Sequence, residues 1–290
     1  MKKAIILALA SLSTTASAQQ PVSEIKATEV VPGMHMLEGA DGFAGGNMTL
    51  LSGDDQVVLI DDGLGAVAGM LYEKASEVAG RGIDFVINTH VHGDHVGSNA
   101  HFADNGAVVL AHDNIRKRLL DSPGDAGGEA GLPVLTFSDS VTFHVNGNEA
   151  YVFHLQHAHT DGDAAILFRN VNVLVTGDVQ FRGLFPFIDL DNGGDVDGYI
   201  AAQKKMLSMI DDDTRIVPGH GPINDKAGLE TDLEVLIDSR KRVKELLDAG
   251  RNEEQILAAN PLSVYHDEYN WGFITTERMT RTLIRSLNED

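Results

Sequence analysis

The chain has 290 residues, 43% of them hydrophobic and 22% charged, a globular mix with enough apolar content for a packed core. With 22 Lys and Arg against 43 Asp and Glu the formal net charge is −21, which repels nucleic-acid backbones and anionic membranes and removes both as first partners. There is no cysteine, so disulfides, thiolate nucleophiles, iron–sulfur clusters and cysteine zinc ligands are excluded, and any metal must rest on carboxylates or on the 12 His.

At the N-terminus, Lys2 and Lys3, the apolar run Ala4 to Leu12 and the small-x-small Ala16-Ser17-Ala18 have the layout of a secretory signal peptide over residues 1–18. The run falls far short of the roughly 20 residues that a membrane span needs. Cleavage near Ala18 predicts a periplasmic or secreted product, residues 19–290, organised as a single domain with a helical C-terminal part.

From Ile25 to Leu51 the chain reads as short extended pieces broken at Pro32-Gly33 and in the glycine-rich Gly39 to Gly46. Val57 to Ile60 is a compact apolar strand stopping at Asp61-Asp62-Gly63, Ala66 to Ala79 is helical in pattern, and Phe85 to Asn88 is a further strand that delivers the chain into Thr89-His90. A strand at Ala107 to Leu110 and a helix at Asn114 to Leu120 continue the alternation. Asp121 to Gly131, rich in Gly and Asp, reads as a loop. Val134 to Leu155 gives strands with a hairpin turn near Asn146-Gly147-Asn148. Ala164 to Phe168 and Val171 to Thr176 are a further strand pair, followed by a helix at Val196 to Ile210, a strand at Arg215 to Val217 and mostly helix from Lys226 on. Each half therefore runs strands first and helix afterwards, with no linker between the halves, which predicts an α/β fold.

The histidines carry the chemistry. His90-Val91-His92-Gly93-Asp94-His95 places three imidazoles and a carboxylate within six residues, directly after a buried strand. Nitrogen and oxygen donors of this mix suit zinc or a neighbouring first-row metal. His90 and His92 project the same way from an extended segment, while Asp94 and His95 follow Gly93, where the backbone can turn and aim them at a second centre.

With this cluster the sequence resembles the metallo-β-lactamase superfamily. The later parts of that pattern are present in order: Asp61 at a strand end, His159-Thr160-Asp161-Gly162, Gly177-Asp178 after a strand, and Pro218-Gly219-His220-Gly221. The resemblance implies a four-layer αββα sandwich with two metal ions at one edge of its sheets. It implies His90, His92 and His159 on the first metal, Asp94, His95 and His220 on the second, and Asp178 bridging them. The expected ions are two zinc, with iron or manganese as other first-row options. Asp61 is placed behind a ligand imidazole, accepting its hydrogen bond and holding its tautomer, or else capping the following turn. His154 and His157 are read as a strand and a loop histidine.

The resemblance also implies a mechanism. Two divalent ions share a water and lower its pKa to about 7, and the resulting hydroxide attacks a carbonyl, with Asp94 orienting it or passing a proton. The expected enzyme is a hydrolase of a small-molecule cyclic amide, ester or thioester with at least weak β-lactamase activity. Asp178 stands where the best-known lactamase subclass has a cysteine, which makes the metal site similar to that of glyoxalase II and lactonases. A non-catalytic, merely metal-binding descendant is the alternative, and the complete set of seven ligands argues against it. For the pocket, Phe43 in the loop Gly39 to Asn47 either covers the substrate or tucks into the core. Arg182 is either a holder of a substrate carboxylate or a plain surface cation.

Overall fold

The computed structural model describes residues 22–289, so the segment expected to be a signal peptide lies outside the described residues. The first sheet has seven strands in sequence order: β1 (Glu24–Val31), β2 (Met34–Ala40), β3 (Met48–Leu51), β4 (Val58–Ile60), β5 (Phe85–Ile87), β6 (Val108–His112) and β7 (Leu135–Phe137). The second has six: β8 (Ser140–Val145), β9 (Asn148–His154), β10 (Ala164–Phe168), β11 (Val173–Val175), β12 (Arg215–Val217) and β13 (Asn224–Asp225), ordered β13-β12-β11-β10-β9-β8. Around them lie α1 (Ala68–Ala79), α2 (Gly93–Val96), α3 (Asn99–Asp104), α4 (Asp113–Asp121), α5 (Val196–Leu207), α6 (Lys226–Asp248), α7 (Glu253–Ala259), α8 (His266–Tyr269) and α9 (Thr276–Glu289). None of these helices is long and apolar enough to cross a membrane.

The period-two alternation of the strands divides the apolar residues among layers. Val58, Ile60 and Ile87 of the first sheet pack against Val152, Ile166, Val173, Val175 and Val217 of the second. Their neighbours Leu59 and Val86 turn the other way and meet Leu71 and Ala75 of α1 and Phe102 of α3. On the far side Phe153, Leu167, Leu174 and Ile216 pack under Tyr199 of α5, Leu233 and Leu236 of α6 and Leu283 of α9. The layer order is thus helix, sheet, sheet, helix, the expected αββα sandwich. Helix starts follow their side chains: Asp195, Asp225 and Asn252 accept backbone N–H bonds at the caps of α5, α6 and α7. The stretch Asp121 to Gly131 is not plain loop; it holds two 3₁₀ turns, Pro123–Ala126 and Glu129–Gly131.

Strand direction positions the site. β4 and β5 are parallel, as are β11 and β12. Parallel pairing sends the residues after Ile60 and Ile87, and those after Val175 and Val217, out at the same sheet edge. The two sheets are tied together there: the Ala164 N–H donates to the Thr89 carbonyl at 2.7 Å, and the Asn47 N–H to the Gly219 carbonyl at 2.7 Å.

Candidate metal centre

His90 leaves β5 and is buried, with Nδ1 at 3.1 Å from the Thr89 hydroxyl oxygen. The turn expected at Gly93 is one turn of helix, α2, whose N-terminal boundary is His92. Helical geometry swings Asp94 and His95 away from the extended pair His90 and His92. The backbone of α2 is fixed by its neighbours: the Gly46 N–H donates to the Asp94 carbonyl at 3.0 Å and the Asp62 N–H to the His95 carbonyl at 2.9 Å. His159 follows β9, Asp178 follows β11 and His220 follows β12.

All seven side chains converge. One donor atom each from His90, His92, His159 and Asp178 lie within 4.8 Å of one another, and the same holds for His90, Asp94 and His95 and for His95, Asp178 and His220. Asp178 sits between the groups. Its Oδ2 is 3.7 Å from His90 Nε2, 3.6 Å from His159 Nε2 and 3.4 Å from His220 Nε2, while its Oδ1 is 3.1 Å from His95 Nε2. The Asp94 Oδ2 is 3.7 Å from His95 Nε2 and 3.4 Å from His220 Nε2. His90 Nε2, His95 Nε2 and Asp178 Oδ1 are buried without a hydrogen-bond partner, the short approach of the last two being misaligned for one. Buried polar atoms are rarely left so, and three of them turned to one place fit an ion as their partner.

Outer groups hold these rings in place. Asp61 is buried and accepts three bonds: from the Thr89 N–H (2.7 Å), from the Thr89 hydroxyl (2.7 Å) and from His95 Nδ1 (2.8 Å). That is the expected position behind a ligand imidazole. The His159 Nδ1–H donates to the Phe187 carbonyl at 2.7 Å, which leaves Nε2 facing His92 Nδ1 at 2.8 Å. Two further residues, not singled out by sequence, support the floor. Asp189 has its Oδ2 2.8 Å from His92 Nε2 and is itself fixed by Asn192. The Asn47 side-chain amide donates to the carbonyls of Pro218 and Gly221 and so sets the loop that carries His220. Close backbone approach matters at Gly46 as well: a Cβ there would lie 2.1 Å from the His95 ring. Neither Asp189 nor Asn47 carries a motif of its own; the signal for Asp189 was only its place two residues beyond Phe187.

Charge is balanced within the cluster. Burial pushes the His90 imidazole well down, with His95 adding repulsion, and it lowers His159 to about 4, with His92 next. For His220, burial is outweighed by Asp178 and Asp94, which raise it to about 9, and the same two carboxylates with Asp61 raise His95. Asp178 is driven well below the usual carboxylate range by His220, His95 and His90 against the opposing effect of burial. The neutral His90 and His159 imidazoles and the ionised Asp178 are in the states that bind cations, whereas His95 and His220, held protonated by their carboxylate neighbours, must release a proton when an ion is taken up.

Above this floor opens a cavity of about 750 Å³, large enough for a small molecule. His92, Asp94, Asp178 and His220 line its base; Phe43, Leu64, Phe181, Phe187, Trp271 and Phe273 line its sides. Phe43 is 38% exposed and stacks on His220 with centroids 6.0 Å apart, so it faces the cavity and not the core. Arg182 does not line the cavity; its guanidinium pairs with Asp232 at 3.2 Å. His154 stacks on His112 and His157 bonds the Gly193 carbonyl; neither is in the cluster.

The sequence profile described as the metallo-beta-lactamase superfamily matches residues 41–220. Among curated proteins, the chain is 25% identical over 243 residues to the Beta-lactamase-like protein 2 homolog of Caenorhabditis elegans, covering 83% of this chain and 75% of that one. It is 31% identical over 148 residues to a hydroxyacylglutathione hydrolase of Polaromonas sp., covering 50% of this chain and 51% of that one. Among solved structures, a metallo-beta-lactamase from Pontibacter korlensis superposes with a TM-score of 0.64 at 18% identity, covering 74% of this chain and 100% of the other. The DIM-1 metallo-beta-lactamase gives 0.62 at 17%, covering 75% and 99%. These two likenesses speak to the fold.

Proposed function

The chain belongs to the metallo-beta-lactamase superfamily, a superfamily of metal-dependent hydrolases, and from that premise we propose an exported dinuclear zinc hydrolase acting on a cyclic amide, ester or thioester. The observation that carries the reading is the set of three buried, unpartnered atoms, His90 Nε2, His95 Nε2 and Asp178 Oδ1, facing a single place between two groups of donors. His90, His92 and His159 would hold the first ion and Asp94, His95 and His220 the second, with Asp178 within reach of both. Export rests on the layout of residues 1–18.

When bound, two such ions supply a nucleophile from water at neutral pH and a Lewis acid for the carbonyl oxygen. The chain does the rest. Asp61, Asp189 and the Phe187 carbonyl engage one ring nitrogen each of His95, His92 and His159, so each ring turns its other nitrogen to the floor. Asp94 lines the cavity beside His220, where its carboxylate can orient a nucleophile or pass a proton to the leaving group. Phe43 and Phe181, stacked on either side of His220, keep water from its ring faces.

A thioesterase is the second reading, supported by the 31% identity to a hydroxyacylglutathione hydrolase. Metal analysis beside turnover tests the proposal. Two zinc equivalents per chain and chelator-sensitive hydrolysis within a panel of a chromogenic cephalosporin, a homoserine lactone, a glutathione thioester and a phosphodiester support a dinuclear hydrolase. Substoichiometric metal with no turnover supports the metal-binding alternative.

A further inference from the structure

The sides of the cavity hold information that its floor does not. Phe181 and Trp271 lie 6.0 Å apart between ring centroids, Trp271 and Phe273 5.6 Å, and Phe273 and Phe187 5.3 Å, a continuous run of rings that ends on Phe187 stacked against His92. The indole Nε1–H is spent on the Phe185 carbonyl at 2.9 Å, so Trp271 offers the cavity only hydrocarbon. Phe273 is nevertheless 47% exposed, and Phe43 across the cavity 38%. Large aromatics left facing solvent around a concave site mark an apolar binding surface.

Charge points the same way. Among the described residues that line the cavity there is no lysine or arginine, and Asp125 is the one carboxylate there that is not assigned to an ion. Arg278 is used behind the wall: its guanidinium lies 4.1 Å from the Phe273 centroid and 5.3 Å from the Phe187 centroid and donates to the Phe273 carbonyl at 3.0 Å, in the neighbouring groove. Trp271, Phe273 and Arg278 all lie beyond residues 41–220, the part matched by the superfamily profile. Resting on the hydrolase reading, we infer that the C-terminal segment makes the cavity selective for a neutral carbonyl substrate carrying an aryl or similarly bulky apolar group, seated against Phe187, Trp271 and Phe273. A glutathione thioester, with its two carboxylates, meets no cation on these walls to hold it.

Trp271 is the only tryptophan of the chain, so its fluorescence reports on the wall directly. The metal-loaded full chain is titrated with 4-phenylbutanamide, a neutral unstrained amide, and with S-methylglutathione, a glutathione whose sulfur is blocked from the metals. The expected result is a saturable change with the amide alone, an affinity for it about tenfold weaker in Phe273→Ser, and recovery in Phe273→Tyr. Saturation by S-methylglutathione at equal or lower concentration, or an unchanged amide affinity in Phe273→Ser, overturns the inference. A kinetic pair separates the two levels of the argument: the kcat/KM ratio of α-benzyl-γ-butyrolactone to γ-butyrolactone should exceed about ten in the wild type and fall toward one in Phe273→Ser. Turnover of both lactones with a wild-type ratio near one overturns the selectivity and leaves the hydrolase intact. Saturable amide binding that depends on Phe273, with no lactone, ester or thioester turned over, upholds the apolar selection and removes the hydrolase reading.

Discussion

His92, His95 and His159 on the cavity floor each have the nitrogen turned away from the centre fixed by an outer oxygen, from Asp189, Asp61 or the Phe187 carbonyl, whereas the aromatic wall above them is held by ring packing, one indole hydrogen bond and one arginine. Of the floor, His90, His95, His159 and Asp178 are buried and His92, Asp94 and His220 half-buried; Phe273 of the wall is about half exposed. A buried polar network is sensitive to the loss of any member, because the remaining partners are left unsatisfied in a low-dielectric place. An apolar wall loses only the contact area of the changed ring. The two regions therefore answer mutation on different scales: floor changes act on metal and turnover together, and wall changes act on which substrate is held.

The largest effect is expected at Asp178, the one carboxylate shared by both groups of donors. Asp178→Ala should empty the second site first and lower turnover by more than the ~10–100-fold that outer partners command. Metal analysis of the purified variant checks this, and full occupancy of both sites would contradict the shared role. Next comes Gly46→Ala, whose new Cβ would lie 2.1 Å from the His95 ring and must displace it. Loss of about one metal equivalent with the fold retained by circular dichroism is the expected outcome, and a fully loaded variant breaks the picture of a floor fixed to close tolerance. Asp61→Asn should follow, because the amide offers a donor where the carboxylate accepts from Thr89 and His95: metal affinity falls ~10–100-fold and stability drops. Asp189→Asn should cost less, since its side chain is 12% exposed against 2% for Asp61, so water can more readily take its place beside His92. Equal losses at the two positions would show that burial does not grade the floor.

The same contrast explains what could be read from the sequence. His90 to His95 lie within one loop, and His159, Asp178 and His220 each follow an apolar run, so residue type and spacing carry the floor and the sandwich that supports it. Asp61 was legible for the same reason, standing at the end of β4. Asp189 was not, because its role depends on the route of the chain from Phe181 to Asn192, which no periodicity specifies. Arg182 illustrates the limit from the other side. A cation among aromatics near a motif suggested a carboxylate holder, but the fold places Asp232 of α6 beside it, a partner fifty residues away. Trp271 and Phe273 reach the cavity only through the packing of the segment between α8 and α9, inside a C-terminal part that sequence could describe only as mostly helical.

Acidification probes a support beneath the floor. His154 stacks face to face on His112 at 3.8 Å and bonds the Asp161 carbonyl at the start of the loop that follows His159. Burial, then the neighbouring His112 and Lys205, holds its pKa below the usual histidine value, with Asp161 opposing. The folded chain thus binds fewer protons here than the unfolded chain, so this contribution is full above pH ~6.5 and is lost as pH falls through the folded value. His154→Phe should flatten part of the fall in melting temperature between pH 7 and 5, since Asp161 keeps the Asn114 amide as a donor. An unchanged slope would mean that the pair does not gate acid stability.

The smallest effect is expected at Arg278, and it sharpens the contrast most. Its guanidinium spans Phe273 and Phe187 and binds the Phe273 carbonyl, so it braces the wall without lining the cavity. At an exposed site a cation–π contact contributes ~0.5–1 kcal/mol, which converts to a factor of roughly 2–5 in affinity. Arg278→Met keeps an apolar stem against both rings and removes the charge. A rise in KM of that size for an aryl-bearing substrate, with metal content unaltered, is the expected outcome, and kcat should move less than KM because the floor is untouched. A fall in metal content would show that the wall and the floor are mechanically one unit, since Phe187 both stacks on His92 and accepts from His159. That single residue is where the two regions touch, and Arg278 is the mildest way to pull on it from outside.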